Sequence, residues 1–279
     1  MKNSLIIGLF ALFMATPLVA QKTTYHYQVG NYDVYLLLEG QGSGNKDILL
    51  GASQEMMDQT IPDGTFPIAT NAFLLKTPEG KYILIDTGYG RELFNNLSDL
   101  GVKPKEIDTI LLTHTHGDHI DGLIKDGKRA FPNAVILLSH QELEFWKQSD
   151  APQDKVIWEN YPIIHFAAKD LNQISRENTI EIQPINAFGH TPGHTAILIS
   201  SENEHLVIWA DLTHAMAIQM SYPQVAVTYD FDPDMAIQSR LEILAFVAEH
   251  NIPIAGMHIP YPGIGTIKPD GAGYIFSEE

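Results

Sequence analysis

Along the chain, short runs rich in β-branched and aromatic residues alternate with turn residues and a few stretches of helical period. Tyr32 to Leu38, Ala72 to Leu75, Tyr82 to Ile85, Thr109 to Leu112 and Val135 to Leu138 predict strands in the first half. Ile180 to Ile185, Ala196 to Ile199, Leu206 to Trp209 and Ile254 to Met257 predict strands in the second. Glu92 to Leu100, closed by Gly101, predicts a helix, as does Asp234 to Glu249, opened by the cap candidate Asp232 with Pro233 after it. Gln141 to Gln148 predicts a third helix, stopped before Pro152. In each half strand pairs precede a helix, a pattern of sheets covered by helices and not of an all-β sandwich. No Gly/Ser linker separates the halves and no short period recurs, so two halves of one domain are expected. Ser149 to Ile174 has weak periodicity and reads as an insertion or a pocket wall.

Composition narrows the setting. The 279 residues are 44% hydrophobic, enough to bury a large core. A formal charge of -17 repels phosphate backbones, so nucleic acid is not an expected partner. Lys2, the apolar stretch Leu5 to Phe13 and the small-residue end Leu18-Val19-Ala20 have the three-part form of an export signal. The stretch is short for a membrane span. Residues 1–20 are therefore expected to be removed, leaving residues 21–279 as a mature domain, periplasmic or secreted and free of the membrane. With no cysteine there is neither disulfide nor thiolate ligand.

The densest chemistry is HTHGDHIDG, His114 to Gly122, directly after the apolar Ile110, Leu111 and Leu112. Alternate residues of an extended segment face one side, so His114 and His116 can converge on one ion. Gly117 permits a tight turn that aims Asp118 and His119 at a second position. Four donors cannot complete two shells, since zinc takes about four at each centre. The missing donors are sought at other strand ends: His194 in GHTPGHT, Asp211 after LVIWA and His258 after IPIAGM. Taken singly, His258 is an ordinary half-buried histidine and Asp211 a turn residue; HTHGDH is what ties them together. His190 reads as structural, because His194 already fills the set. His26, His140, His165, His205 and His250 have no partner pattern.

HTHGDHIDG resembles the HxHxDH signature of the metallo-β-lactamase superfamily, and ILIDTGYG, GHTPGHT, WADLTH and GMHIP follow in that superfamily's order. The resemblance covers Thr70 to Glu279. It implies an α+β fold in a single domain, the αββα sandwich of two mixed β-sheets flanked by helices, with a two-metal site at the strand ends. It also implies two Zn2+ per chain, one held by His114, His116 and His194, the other by Asp118, His119 and His258, with Asp211 bridging. Asp86 of IDTG resembles the aspartate that accepts a hydrogen bond from a ligand imidazole, its alternative being a turn residue before Gly88.

Such a pair of ions shares a bridging hydroxide at neutral pH and polarises a substrate oxygen, so hydrolysis is the expected reaction. Asp118 is the candidate to carry the proton to the leaving group. Zinc β-lactamases that need a Cys ligand do not fit, and no C-terminal basic cluster is present to hold glutathione as in glyoxalase II-like enzymes. DLTHAMAIQMSYPQVAVTYDFDP and GMHIPYPGIGTIKPDGAGY resemble the methyl parathion hydrolase branch, which also contains secreted N-acyl-homoserine lactonases. The activity this implies is opening of the lactone ring of quorum signals. The alternatives are an organophosphate phosphotriesterase or another lactone or ester hydrolase, and a non-catalytic metal-binding protein. A small-molecule ester is the expected partner, and a homodimer is compatible. Phe66, Phe73, Phe145, Trp146, Phe166 and Tyr261 are candidates to line an apolar trough. Cytoplasmic lactonases usually carry Tyr three residues after the bridging aspartate, where this chain has His214, a second candidate catalytic group.

Overall fold

The computed structural model describes residues 22–174 and 181–279, without the side chains of residues 152 and 153. The export signal expected in residues 1–20 lies outside the described residues. A seven-stranded sheet runs in the order Thr24–Val29, Tyr32–Asn45, Thr65–Lys76, Tyr82–Ile85, Ile107–Leu111, Val135–Ser139, Ile163–Phe166. A six-stranded sheet runs Glu181–Asn186, Thr195–Ser201, Glu204–Ile208, Ile254–Ala255, Ile264–Asp270, Gly273–Glu278. Both are mixed: in the first, pairing changes from antiparallel to parallel at Tyr82–Ile85, and in the second Glu204–Ile208 pairs in parallel with Ile254–Ala255.

Strand side chains alternate between two destinations, as a period of two requires. Leu36, Phe73, Leu75, Ile85 and Leu111 of one sheet meet Ile197, Ile199, Leu206 and Ile208 of the other in a core between the sheets. Their neighbours Leu37, Leu74, Leu84 and Ile110 turn outward to Leu93, Leu97, Leu143 and Trp146 of the Leu93–Asp99 and His140–Trp146 helices. On the far side Ala196, Leu198 and Val207 meet Ile243, Leu244 and Val247 of the Pro233–His250 helix. The layers are therefore helix, sheet, sheet, helix. Because both faces of each central strand are buried, Ile110-Leu111-Leu112 is a continuous apolar run and not an alternating one. Among the described residues no helix is long and apolar enough to cross a membrane.

The Ser149 to Ile174 reading needs correction. That segment holds the Pro152–Asn160 helix and the Ile163–Phe166 strand, which pairs in parallel with Val135–Ser139 as the edge of the first sheet. Ile157, Trp158 and Tyr161 pack into the core under the first sheet, so the segment is framework, and none of its described residues lines the cavity at the strand ends. The Ile254 strand is shorter than expected, two residues long, because Gly256 to Ile259 turns to meet the first sheet. There the buried Asn71 donates to the Gly256 and Ile259 carbonyls at 3.0 and 2.8 Å.

Past a bulge between Leu38 and Gly40, the Tyr32–Asn45 and Thr65–Lys76 strands continue as a long hairpin. Its tip is secured where Phe66 and Ile68 pack against Ala215, Ile218 and Val225. The connection from Leu212 to Val225 is held in turn by Arg240, only 1% exposed, whose guanidinium donates to the carbonyls of Leu212 at 2.6 Å and of Pro223 and Val225 at 2.9 Å. Replacing Arg240 with Leu takes their donors from the Leu212 and Pro223 carbonyls, at about 1–3 kcal/mol each, while Val225 O keeps Gln219 Nε2 at 2.9 Å. Denaturant unfolding of Arg240→Leu is expected to show a loss of about 2–4 kcal/mol at unchanged m-value; a loss below about 1 kcal/mol would mean that the connection holds itself.

Candidate metal centre

The seam between the two sheets, at the ends of their strands, collects the histidines. The Ile107–Leu111 strand stops short of His114, and Gly117–Ile120 forms a single helical turn after it. Asp86, at the end of the Tyr82–Ile85 strand, has a positive φ of 56°, a conformation that costs energy for a non-glycine residue. In it, the carboxylate accepts from Thr113 N at 2.8 Å and Thr113 Oγ1 at 2.7 Å, and from His119 Nδ1 at 2.7 Å. Thr113 Oγ1 in turn accepts from His114 Nδ1 at 3.2 Å. Asp86 thus fixes the rings of both His114 and His119 and is far more than a turn residue.

The same outward donation recurs. His258 Nδ1 donates to Ala69 O at 2.8 Å, and His190 Nδ1 donates to Asp230 Oδ1 at 2.9 Å. With Nδ1–H directed outward, His114, His119, His190 and His258 all turn Nε2 inward, the nitrogen that a cation would take once it carries no proton. His116 turns its Nδ1 inward, 3.1 Å from His114 Nε2 and 3.0 Å from His190 Nε2. At the middle sits Asp211, 2% exposed. Its Oδ2 lies 3.0 Å from His258 Nε2, 3.1 Å from His214 Nε2, 3.3 Å from His190 Nε2 and 3.7 Å from His114 Nε2; its Oδ1 lies 3.2 Å from His119 Nε2.

Nitrogen lone pairs meeting at about 3 Å in a buried site need a proton or a cation between them. His119 Nε2 and Asp211 Oδ1 are buried with no hydrogen-bond partner. The donors sort into two groups, His114, His116, His190 and Asp211, and Asp118, His119, Asp211 and His258, with the donor atoms of each group within 4.8 Å of one another. The donor chemistry therefore fits two cations sharing Asp211. Within the chain alone, burial pushes His116 down to about 4, with the neighbouring His190 adding to it. His190 is raised to about 9: burial opposes its charge, but hydrogen bonds to Asp211 and Asp230 overcome that. A cation entering the first group at neutral pH must displace that proton.

The expectation for GHTPGHT is corrected here. The ring of His194 donates from Nδ1 to Ala187 O at 2.7 Å and accepts at Nε2 from Asp211 N at 3.0 Å. Both nitrogens are occupied by backbone, so His194 has no donor to offer and instead tethers the Asp211 main chain. His190 stands in its place. The reason is local: His194 leads directly into the fully buried Thr195–Ser201 strand, whereas His190 lies on the turn before it, free to project to the site. His214 faces the same space, its ring stacked on His258 at 4.7 Å.

A cavity of about 660 Å³ opens over this floor, lined by His116, Asp118, His190, Asp211, His214 and His258. Its walls are Gly40, Gln41, Gly42 and Ile68 of the long hairpin, with Tyr89, Arg91 and Tyr229 at the rim. None of the six aromatics expected to line a trough is among them: Phe66, Phe73 and Trp146 are core, and Tyr261 packs beside the inter-sheet core. Tyr89 and Tyr229 carried no sequence signal, since only the fold brings their loops to the rim.

With divalent cation supplied, His190→Ala is expected to bind about one equivalent less than the unaltered protein, by elemental analysis after gel filtration, because one inward donor is lost. His194→Asn, whose amide can still donate to Ala187 O, is expected to keep its metal. The reverse pattern would return His194 to the donor set.

Residues 65–250 match the metallo-beta-lactamase superfamily. A ribonuclease of Thermus thermophilus is 27% identical over 161 residues, 54% of this chain but 37% of that protein, so the chain spans little more than a third of that relative's length. The N-acyl homoserine lactonase of a Bacillus species is 26% identical over 202 residues, 60% of this chain and 72% of the relative. Among solved structures, the hydrolase AbOPH of the beta lactamase superfamily superposes with a TM-score of 0.80 at 28% identity, covering 92% of this chain and 97% of the other. AidC, a dizinc quorum-quenching lactonase in complex with a product, superposes with a TM-score of 0.79 at 27% identity over the same shares. Since the family match runs from the long hairpin to the end of the Pro233–His250 helix, and superpositions over 92% of the chain agree with it, this protein belongs to the metallo-beta-lactamase superfamily.

Proposed function

We propose that the protein is an exported dizinc lactonase that opens the ring of N-acyl-homoserine lactones. The observation that carries this reading is the pair of donor groups sharing Asp211 at the floor of an open cavity with one cationic lining residue, Arg91. In this reading His114, His116 and His190 hold one zinc, Asp118, His119 and His258 the other, and Asp211 bridges them. A histidine-rich, cysteine-free set favours zinc over manganese or iron. Two bound zinc ions would supply an activated water and a Lewis acid for the substrate carbonyl.

The chain's own groups do the rest. Asp118 is one of two proposed ligands that are not fully buried, with its side chain 19% exposed, and its Oδ2 lies 3.5 Å from His258 Nε2 and 3.7 Å from His119 Nε2. Its carboxylate takes the proton of the attacking water and returns it to the alkoxide released from the ring. His214 is neutral at working pH, because burial pushes it down to about 4. It acts by holding Asp211 and offering the substrate a hydrogen-bonding edge, not by carrying a proton. The uncharged lactone suits the cavity. A nucleic-acid substrate suits it poorly, because a protein of charge -17 repels a polyanion.

Kinetics on an N-acyl-homoserine lactone and on a phosphotriester, with the same zinc-loaded sample, test the substrate. Ring opening with the higher kcat/KM is expected; efficient phosphotriester cleavage with an intact lactone would replace this reading with the phosphotriesterase one. Asp118→Asn is expected to lose about 100-fold or more in kcat while retaining zinc, and His214→Phe about 10-fold or more. Wild-type turnover in either variant, zinc content being equal, would remove that residue from the reaction.

A further inference from the structure

Glu142 lies in the first turn of the His140–Trp146 helix, in the outer layer and away from the cavity lining. Its side chain is completely buried, and its carboxylate accepts four hydrogen bonds. Oε1 takes Thr115 N at 3.0 Å and Thr115 Oγ1 at 2.9 Å; Oε2 takes Thr191 Oγ1 at 2.6 Å and Gly193 N at 3.0 Å. Thr115 is the residue between His114 and His116, and Thr191 follows His190. One carboxylate therefore joins the two loops that carry the first donor group, one from each half of the sandwich.

The approach is too close for any other arrangement. A Cβ on Gly193 would stand 2.1 Å from Glu142 N and 2.5 Å from Ser139 Oγ. Ser139 Oγ accepts from Glu142 N at 3.1 Å and donates to Gly193 O at 2.7 Å, locking the same junction. Glu142 makes no bond to the second donor group: Asp86, which also reaches His114 through Thr113, and Thr87 hold His119, and Ala69 holds His258. A buried carboxylate is tolerable only when its oxygens are saturated with donors. Here every donor comes from the loops of the first group.

We propose that Glu142 is a positioning residue that sets the spacing of His114, His116 and His190, and so governs cation affinity at that group alone. The inference rests on the two-cation reading given above. Glu142→Gln keeps the shape but puts an amide donor against either the Thr115 or the Gly193 N–H. Stepwise Zn2+ titration of the full chain is expected to show one equivalent weakened about 10- to 100-fold, as for other groups that support a ligand. The other equivalent should stay within about twofold, and the metal-free melting temperature within a few degrees of wild type. In a His258→Ala background Glu142→Gln should weaken the remaining Zn2+ by the same factor, and in a His190→Ala background it should add no further loss. Equal weakening of both equivalents, or a fall in melting temperature with both affinities intact, overturns the proposal. Thr191→Val, which removes one of the four bonds and keeps the carboxylate, provides the same readout should Glu142→Gln fold poorly. A wild-type protein binding fewer than two equivalents would instead sink the two-cation reading on which the inference stands.

Discussion

A carboxylate almost out of reach of water, with five imidazole rings within 3.7 Å of its oxygens, is the constraint on which this structure turns. Asp211 cannot be held there by packing alone, because a buried charge needs opposite charge or donors at every lone pair. The main chain delivers it in a strained form: Ala210 before it has a positive φ of 53°, and its own amide is tied to His194. The sandwich exists in the form it has partly to bring strand ends from both sheets to this one carboxylate.

Around that centre the polar contacts form a second layer with its own logic. The inward-facing Nε2 of His114, His119, His190 and His258 is set in each case by an outward-facing Nδ1, and the acceptors are the Thr113 hydroxyl, Asp86, Asp230 and the Ala69 carbonyl. Asp230 shows how far the layer reaches. Its Oδ1 takes the His190 ring, while its Oδ2 takes Val227 N at 3.0 Å and lies 3.9 Å from Arg240 of the outer helix. A side chain that staples the Leu212 to Val225 connection is thus one contact removed from a proposed ligand. The cavity wall, the connection and the histidine share a single support.

The floor and the walls of the cavity have different structural origins. The floor is built from strand ends and is fixed by the inter-sheet core. The walls are built from the hairpin beyond the bulge at Leu38 and Gly40, which packs on a separate small cluster through Phe66 and Ile68, and from the loops of Tyr89 and Tyr229. Glycines and small polar residues on that hairpin leave the space open.

Much was legible in the sequence. Short apolar runs between turn residues predicted the Tyr82–Ile85, Ile107–Leu111 and Val135–Ser139 strands closely but not the extension of Tyr32–Asn45 and Thr65–Lys76 into the long hairpin, and the Asp232 cap marked the long helix, where its carboxylate accepts from Met235 N at 3.0 Å. HTHGDH announced two divided groups of donors because spacing of two and a glycine turn are local facts. What the sequence left undecided was anything that depends on where a ring's second nitrogen points. His190 and His194 are alike in GHTPGHT, and only the strand that buries His194 against Ala187 and Asp211 separates tether from donor. Glu142 gave no signal at all, since a helix glutamate ordinarily faces water. Phe66, Phe73 and Trp146, expected at a pocket, are core instead, for apolar periodicity identifies what is buried without saying against what. Local chemistry was determined by the order of residues, and partnership between distant residues by the packing of the two sheets.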